Sequence, residues 1–254
     1  MTRPLVGTSW KMNLTPSEAA AWFAAAVPAL MKLGDRDLFV LPPFTAIHVA
    51  RDALCRTPIA WGAQDVHPDA SGAHTGDVSA AMLADLGCRY VEVGHSERRR
   101  DHRETDALVA AKIAAIRSHG MTPLLCVGER TRGPLPVARA IVARQLRGAL
   151  GALDTEGLER LVVAYEPVWA IGVGAMAAPA EHIEAMHGAI HRWLTTHGAA
   201  STPVLYGGSV DATNAGPIAN LAGVDGLFVG RAALDPETFV RIASTEIEGG
   251  PDRD

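Results

Sequence analysis

Residues 161–172 read LVVAYEPVWAIG, a short apolar run that passes directly into a carboxylate and a proline. Runs of this kind, rich in Val, Leu, Ile or Tyr and followed by polar or turn residues, recur along the chain and are typical of buried strands. Their starts lie mostly about 20 to 40 residues apart, which leaves room for a helix between strands. Eight runs are predicted as strands: Leu5 to Trp10, Leu38 to Leu41, Ile59 to Gly62, Tyr90 to Val93, Pro123 to Val127, Leu161 to Tyr165, Val204 to Tyr206 and Gly226 to Val229.

Three of the segments between these strands carry clear helix signals. Thr15 is a good N-cap and Pro16 suits the first turn, so a helix is predicted from Pro16 to Lys32. Two more helices are predicted from Glu104 to His119 and from Pro179 to His197, each followed by a glycine that ends it. The predicted apolar face of the second helix consists of Leu108, Ala111, Ala115 and Ile116.

This alternation of strands and helices predicts the fold class. Strands that alternate with helices form a parallel sheet joined by right-handed crossovers. Eight such units without a linker or a composition break predict an α/β protein with a single closed (β/α)8 barrel over residues 1–246. The alternative is an open doubly wound sheet, but no GxGxxG follows the first strand, which disfavours it. Residues 247–254 are predicted as a disordered C-terminal tail.

Composition narrows the class of partner and the compartment. The 254 residues carry a formal net charge of -5, which gives no basic surface for a nucleic acid or an anionic membrane. Three cysteines without metal-ligand spacing indicate reduced thiols. The first residues lack the layout of a signal peptide, and no run of 18 apolar residues occurs. We therefore expect a soluble, cytoplasmic protein without a bound metal.

The residues that directly follow the strands are the candidates for chemistry, because the active site of such a barrel lies at the carboxyl ends of its strands. Lys11 follows the first strand, His95 the fourth and Glu166 the sixth. A carboxylate base, a neutral hydrogen-bond donor and a cation are the groups needed to move a proton next to a carbonyl. Glycine-bearing turns at 207–208 and 230 offer backbone N–H groups to a phosphate, or simply make tight turns.

Four motifs closely resemble the triosephosphate isomerase family: WKMN at 10–13, VGHSERR at 93–99, AYEPVWAIG at 164–172 and YGGSV at 206–210. The resemblance spans essentially the whole chain. It implies a cofactor-independent isomerase that moves a proton between adjacent carbons of a small phosphorylated ketose through an enediolate. This family is a known case of a glutamate base, a neutral histidine and a loop that closes over the substrate.

The resemblance also implies residue roles. Glu166 would move the proton, His95 would shuttle protons between the two oxygens, and Lys11 would stabilise the enediolate. Residues 167–172 would form a lid. Such a lid is needed because an enediol phosphate exposed to water eliminates phosphate. The phosphate would be surrounded by Gly172, Ser209, Gly230 and the backbone N–H of Arg231, while Glu97 and Tyr206 would support the site. Cys126 and Arg99 also match the family and are interpreted as structural.

The resemblance further implies a homodimer. The segment from Asp65 to Val78 resembles the long loop by which subunits of this family interlock. Thr75 would then reach the neighbour's active site.

Three departures from the family fall at the site. Ser9 stands where the family has Asn, Arg231 stands where it has Gly, and residues 175–177 read AMA where Lys-Thr-Ala is usual. The departures are either drift or a change of substrate. We favour the second interpretation, because a smaller side chain at position 9 leaves room for an added hydroxymethyl group. The expected reaction is then L-erythrulose 1-phosphate to D-erythrulose 4-phosphate, in tetritol catabolism, as in the branch of the family that GTSWKMN and DGLFVGR resemble.

Ordinary triosephosphate isomerase activity is the alternative to this reaction. Two more distant alternatives are weaker. A non-catalytic phosphoester-binding barrel would lack the base or the imidazole, and both are present. A Schiff-base aldolase would need a lysine on a later strand, whereas all three lysines lie at or before position 112.

Overall fold

The computed structural model describes residues 3–172 and 174–247 and forms a closed eight-stranded parallel barrel. Every strand pairs with the next one along the chain, and the last strand pairs with the first, where Leu5 lies beside Gly226. All eight predicted strands are present, with ends shifted by no more than one residue, so the predicted (β/α)8 fold is confirmed. The strands are β1 Leu5–Ser9, β2 Asp37–Leu41, β3 Ala60–Ala63, β4 Tyr90–Val93, β5 Thr122–Val127, β6 Val162–Tyr165, β7 Val204–Tyr206 and β8 Gly226–Val229.

Helices cover the outside of the barrel between successive strands. Short 3-10 turns occur at Phe44–Ala46, Val168–Ala170 and Arg231–Leu234. Within the described residues, no helix is long and apolar enough to cross a membrane. The helices are α1 Pro16–Leu30, α2 Ile47–Leu54, α3 Ala80–Asp85, α4 Ser96–Asp101, α5 Asp106–Ser118, α6 Leu135–Leu150, α7 Thr155–Glu159, α8 Ala180–Thr196, α9 Ala215–Ala219 and α10 Pro236–Ala243.

The helix starts follow the capping chemistry of the sequence. The Thr15 hydroxyl accepts from the N–H of Glu18, and the Glu18 carboxylate accepts from the N–H of Thr15, which together form a capping box. Helix α5 begins later than predicted because Thr105 caps it, accepting from the N–H of Leu108. The predicted boundary of the barrel near residue 246 stays a prediction, since residues 248–254 lie outside the described part of the chain.

The predicted apolar face of α5 is wrong apart from Ile116. Ala111 is exposed, and Leu108 and Ala115 are only partly buried. The face that packs against the barrel is shifted by one position along the helix. Lys112 can belong to this buried face because two buried carboxylates neutralise its charge. Its buried members are Val109, Lys112, Ile113 and Ile116.

Two layers of apolar side chains form the core. One lies between the strands and the helices, and the other fills the inside of the barrel, where Phe39 packs near Tyr90 and Phe228. Gly7 makes room for this packing, since a Cβ there would lie 2.1 Å from the Phe39 ring. Strand residues alternate in direction, so Glu92 shares the inner side of β4 with Tyr90. A carboxylate therefore lies inside the barrel beyond this apolar cluster, toward the carboxyl ends of the strands.

Candidate active site

A cavity of about 740 Å³ opens at the carboxyl ends of the strands, which we call the mouth of the barrel. It is lined by nine of the eleven predicted site residues: Ser9, Lys11, His95, Glu97, Glu166, Gly172, Ser209, Gly230 and Arg231. Tyr206 is fully buried beneath the mouth, and Thr75 is exposed elsewhere on the chain. The folding of the barrel thus brings together the three residues from strands β1, β4 and β6 that the sequence singled out.

Lys11 lies two residues after the end of β1 and has an unusual backbone conformation. Its φ is 55°, in the left-handed region that non-glycine residues rarely adopt. The Gln64 side chain donates to the Lys11 carbonyl at 3.1 Å and to the Leu41 carbonyl at 2.9 Å, which stabilises this turn. The Lys11 ammonium lies 2.7 Å from the Glu97 carboxylate and faces the cavity. The strained turn thus fixes where the charge of Lys11 enters the site.

His95 follows Gly94 and caps α4, where its Nδ1 accepts from the N–H of Glu97 at 3.2 Å. An Nδ1 that accepts a hydrogen bond assigns the proton of the neutral ring to Nε2. Burial, and then the nearby charge of Lys11, lowers the pKa of His95 to about 4. The imidazole is therefore neutral near pH 7 and presents an N–H donor.

Glu166 stands directly after β6 with a buried side chain. Its Oε2 lies 3.4 Å from His95 Nε2 but has no hydrogen-bond partner among the described residues. Burial, and then the negative charge of Glu92, raises the pKa of Glu166 well above its usual value. Gly207 allows this placement, since a Cβ there would lie 2.9 Å from Glu166 Cγ. The result is a carboxylate that is more basic than one in water and close to a neutral donor.

Glu92 is a site residue that sequence reasoning missed. It lines the cavity, it is 2% exposed, and its carboxylate accepts from the Ser9 hydroxyl at 2.7 Å and from the Cys126 thiol at 3.6 Å. Burial raises the pKa of Glu92 to about 7, against the Ser9 hydrogen bond and the charge of Lys11. The signal was present in the sequence as a single charged residue within the apolar run YVEV at 90–93.

The lid segment is anchored at both sides. Glu129, which the sequence analysis also missed, accepts from the Trp169 indole at 2.7 Å and from the Tyr165 hydroxyl at 3.1 Å. On the other side, the Tyr206 hydroxyl accepts from the N–H of Ala178 at 3.1 Å, which gives Tyr206 a supporting position under the lid. Residue 173, which directly follows the predicted lid, lies outside the described residues.

The predicted phosphate-binding residues form one rim of the cavity. Ser209 donates both its hydroxyl, at 2.8 Å, and its N–H, at 3.2 Å, to the Ala170 carbonyl of the lid segment. Gly230 precedes the short turn Arg231–Leu234, and the Arg231 side chain is exposed. The rim therefore has Gly172 and Gly230 facing the cavity, with Ser209 hydrogen-bonded to the lid.

The loop from Asp65 to Val78 lies between β3 and α3. Its base is closed by a hydrogen bond from the N–H of His67 to the Val78 carbonyl, at 2.8 Å, while residues 69–77 are exposed. Two groups within the described residues have potential ligand atoms within 4.8 Å of one another: His67, His74 and Asp77 on this loop, and Glu92, Cys126 and Glu166 at the mouth. The expectation that the protein uses no metal stays a prediction.

A buried carboxylate, a neutral imidazole and an ammonium at the mouth of a closed parallel barrel define a class: (β/α)8 enzymes that transfer a proton next to a carbonyl. The family profile described as triosephosphate isomerase matches residues 4–246. The chain therefore belongs to the triosephosphate isomerase family, whose members are isomerases of sugar phosphates.

Individual relatives agree with this assignment. A triosephosphate isomerase of Thermus thermophilus is 49% identical over 251 residues, which cover 95% of this chain and 98% of the relative. One of Mycobacterium tuberculosis is 46% identical over 261 residues and covers 98% of both chains. The crystal structure of triosephosphate isomerase from Bartonella henselae superposes with a TM-score of 0.81 at 34% identity, covering 94% of this chain and 97% of that one.

Proposed function

We propose that the protein interconverts dihydroxyacetone phosphate and glyceraldehyde 3-phosphate. The observation that carries the proposal is the buried Glu166 carboxylate 3.4 Å from the neutral His95 imidazole, with the Lys11 ammonium facing the same cavity. The names of the relatives support the triose as substrate. No redox step is needed, because one proton moves between two carbons of the same molecule.

In the proposed mechanism, Glu166 removes a proton from the carbon next to the carbonyl and returns it to the neighbouring carbon. The intermediate is an enediolate, and the His95 Nε2–H donates to its oxygens and moves protons between them. Lys11, oriented by Glu97 at 2.7 Å, stabilises the negative charge. Because Glu166 is buried, its carboxylate is a stronger base than an exposed one and is better matched to a weakly acidic carbon.

The phosphate is proposed to bind at the rim, against Gly172, Gly230 and the backbone N–H of Arg231. In this structure both donors of Ser209 are bonded to the Ala170 carbonyl of the lid segment. Movement of the lid would release these donors, and Ser209 would then bind the phosphate. Closure of the lid then excludes water from the enediolate.

We also propose that two copies associate through the loop from Asp65 to Val78. The exposed tip of this loop supports the proposal, as does Thr75, which lies outside the cavity of its own chain and would enter the neighbour's. Sedimentation at several protein concentrations tests it, with Thr75→Arg as the variant expected to favour the monomer.

A second candidate substrate is the tetrulose phosphate, interconverted between L-erythrulose 1-phosphate and D-erythrulose 4-phosphate. The named relatives give it no support and favour the triose. One observation speaks for it: Ser9 replaces the usual Asn with a smaller side chain, which donates to Glu92. This arrangement leaves space beside the reacting carbon.

The deciding experiment measures kcat/KM of the purified protein for dihydroxyacetone phosphate and for L-erythrulose 1-phosphate under identical conditions. A preference for the triose supports the first proposal, and a clear preference for the tetrulose replaces it with the second. Ser9→Asn sharpens the result, since it should depress tetrulose turnover more than triose turnover. Equal effects on both substrates would contradict the steric role of Ser9.

A further inference from the structure

Glu92 is a buried carboxylate at the mouth that the proposed mechanism does not use. It lies on the inner side of β4, above the apolar cluster that fills the barrel, and it lines the cavity with Glu166 and Ser9. A second carboxylate within reach of Glu166 makes the ionised state of both groups less favourable. An apolar side chain at this position would fill the same space without that penalty.

The hydrogen bonds of Glu92 leave part of its carboxylate available. One oxygen accepts from Ser9 and the other accepts weakly from Cys126. A carboxylate has about four acceptor positions, so acceptor capacity remains on this cavity-lining group. A protonated carboxyl would donate to a hydroxyl oxygen, so a hydroxyl group can pair with Glu92 in either protonation state.

Ser9 gives Glu92 both its orientation and its access to the cavity. The Ser9 hydroxyl fixes one carboxylate oxygen at 2.7 Å, and the small Ser9 side chain lines the cavity beside it. A larger residue at position 9 would fill part of the cavity beside Glu92. The two residues, 83 positions apart in sequence, thus form one polar recess at the floor of the cavity.

We propose that Glu92, held by Ser9, binds a hydroxyl group of the substrate. The carbon that carries this hydroxyl is attached to one of the two reacting carbons, at the end away from the phosphate. Glu92 is thereby a specificity-determining residue for ketose phosphates that carry a hydroxymethyl group there, and a triose lacks this group. The inference rests on the proposed isomerase function, because it takes Glu166 as the base and the rim as the phosphate site.

The test compares kcat/KM for L-erythrulose 1-phosphate with kcat/KM for dihydroxyacetone phosphate in each variant. Both substrates use the same base, so the ratio cancels any change in the basicity of Glu166. Glu92→Leu removes the polar group at similar size and should lower the ratio by about 10- to 100-fold. Glu92→Gln keeps one acceptor and should lower it by less, about 3- to 10-fold.

Tyr90→Phe is the matched control, because Tyr90 lies on the same strand and the same inner side but at the opposite end of the barrel. It should leave the ratio unchanged. Circular dichroism identifies any variant that fails to fold. If Glu92→Leu fails to fold, the inference is tested by comparing the kcat/KM ratio of Glu92→Gln with that of Tyr90→Phe.

Failure of the inference is separable from failure of the proposed function. If the wild-type protein turns over the triose but not the tetrulose, or if the folded Glu92 variants keep the wild-type ratio, the inference is wrong and the isomerase function stands. If the wild-type protein turns over neither substrate, the proposed function fails and the inference fails with it.

Discussion

Two groups of charged side chains, buried apart from the partly exposed Arg98, differ in how their charges are compensated. The first, on the flank of the barrel, consists of Lys112, Asp65, Glu104 and Arg98, and we call it the flank cluster. Lys112 lies 2.6 Å from both carboxylates, and Arg98 lies 2.6 Å from both as well. The second group is Glu92 and Glu166 at the mouth, which we call the mouth pair. It holds two carboxylates with no cation in hydrogen-bonding contact with either among the described residues.

The pKa values of the carboxyl groups depend on whether a neighbouring cation compensates their charge. Burial opposes ionisation of Glu104, yet the hydrogen bond and charge of Lys112 and those of Arg98 hold its pKa below the usual value. For Asp65, burial outweighs Lys112 and the pKa is raised. In the mouth pair both pKa values are raised, mainly by burial. Removal of one partner from a compensated buried group destabilises the fold because it leaves the other charge unpaired, whereas uncompensated buried charges already cost stability and are expected where chemistry needs a base.

The largest predicted effect is on catalysis, at the mouth pair. Glu166→Gln should lower kcat by about 10³-fold or more, because the variant has no base. Its free energy of unfolding should stay equal or rise, since a buried carboxylate without a partner is removed. Activity is measured by turnover and by exchange of the substrate's carbon-bound proton with solvent deuterium. The control is Glu156→Gln, on the exposed surface of α7. Proton exchange at the wild-type rate would refute the assignment of the base.

The flank cluster should respond in the opposite way. Lys112→Met leaves Asp65 and Glu104 buried without that cation, so the free energy of unfolding should fall by about 3–5 kcal/mol, while the folded protein keeps its kcat. Urea unfolding at fixed protein concentration measures this change. Lys32→Met, at an exposed lysine, should change stability by less than about 0.5 kcal/mol. If the two variants were equally stable, the flank cluster would not be the stabilising group that its geometry indicates.

The sequence predicted the parts of the molecule that depend on local pattern. The strands were visible because each is a short apolar run, and Lys11, His95 and Glu166 were visible because each lies within two residues of the end of a run. Glu92 was missed because one charge inside an apolar run does not alter the strand pattern, and its partner Ser9 lies 83 residues away. The α5 face was wrong for the same reason: burial of Lys112 depends on Asp65, 47 residues distant. Long-range pairing of polar groups, and not periodicity, decides such positions.

A smaller effect concerns the pH dependence of the free energy of unfolding, which should have opposite signs for the mouth pair and the flank cluster. The folded protein holds the proton of Glu92 more tightly than the unfolded chain does, with a pKa of about 7 against 4.5. Stability from this group is therefore present below pH 4.5 and lost as the pH rises through about 7. Glu92→Gln should gain up to about 3 kcal/mol relative to wild type between about pH 5 and pH 8.

Glu104→Gln provides the opposite sign. The pKa of Glu104 is lowered in the folded state, so its contribution is present above pH 4.5 and is lost as the pH falls below it. The variant should therefore be less stable than wild type near neutral pH and approach it in acid. Urea unfolding of both variants across this pH range checks the prediction, and parallel pH profiles would contradict it.

The smallest effect on stability is expected for the pair between Lys11 and Glu97, which lies at the mouth but is open to solvent. The Glu97 side chain is 41% exposed, so screening by water leaves the pair worth less than about 1 kcal/mol. Glu97→Gln should therefore unfold at nearly the wild-type urea concentration. It should still lower kcat, because the neutral amide orients the Lys11 ammonium less strongly while Gln64 keeps the backbone turn in place. A stability loss as large as that of Lys112→Met would assign this pair to the structural group.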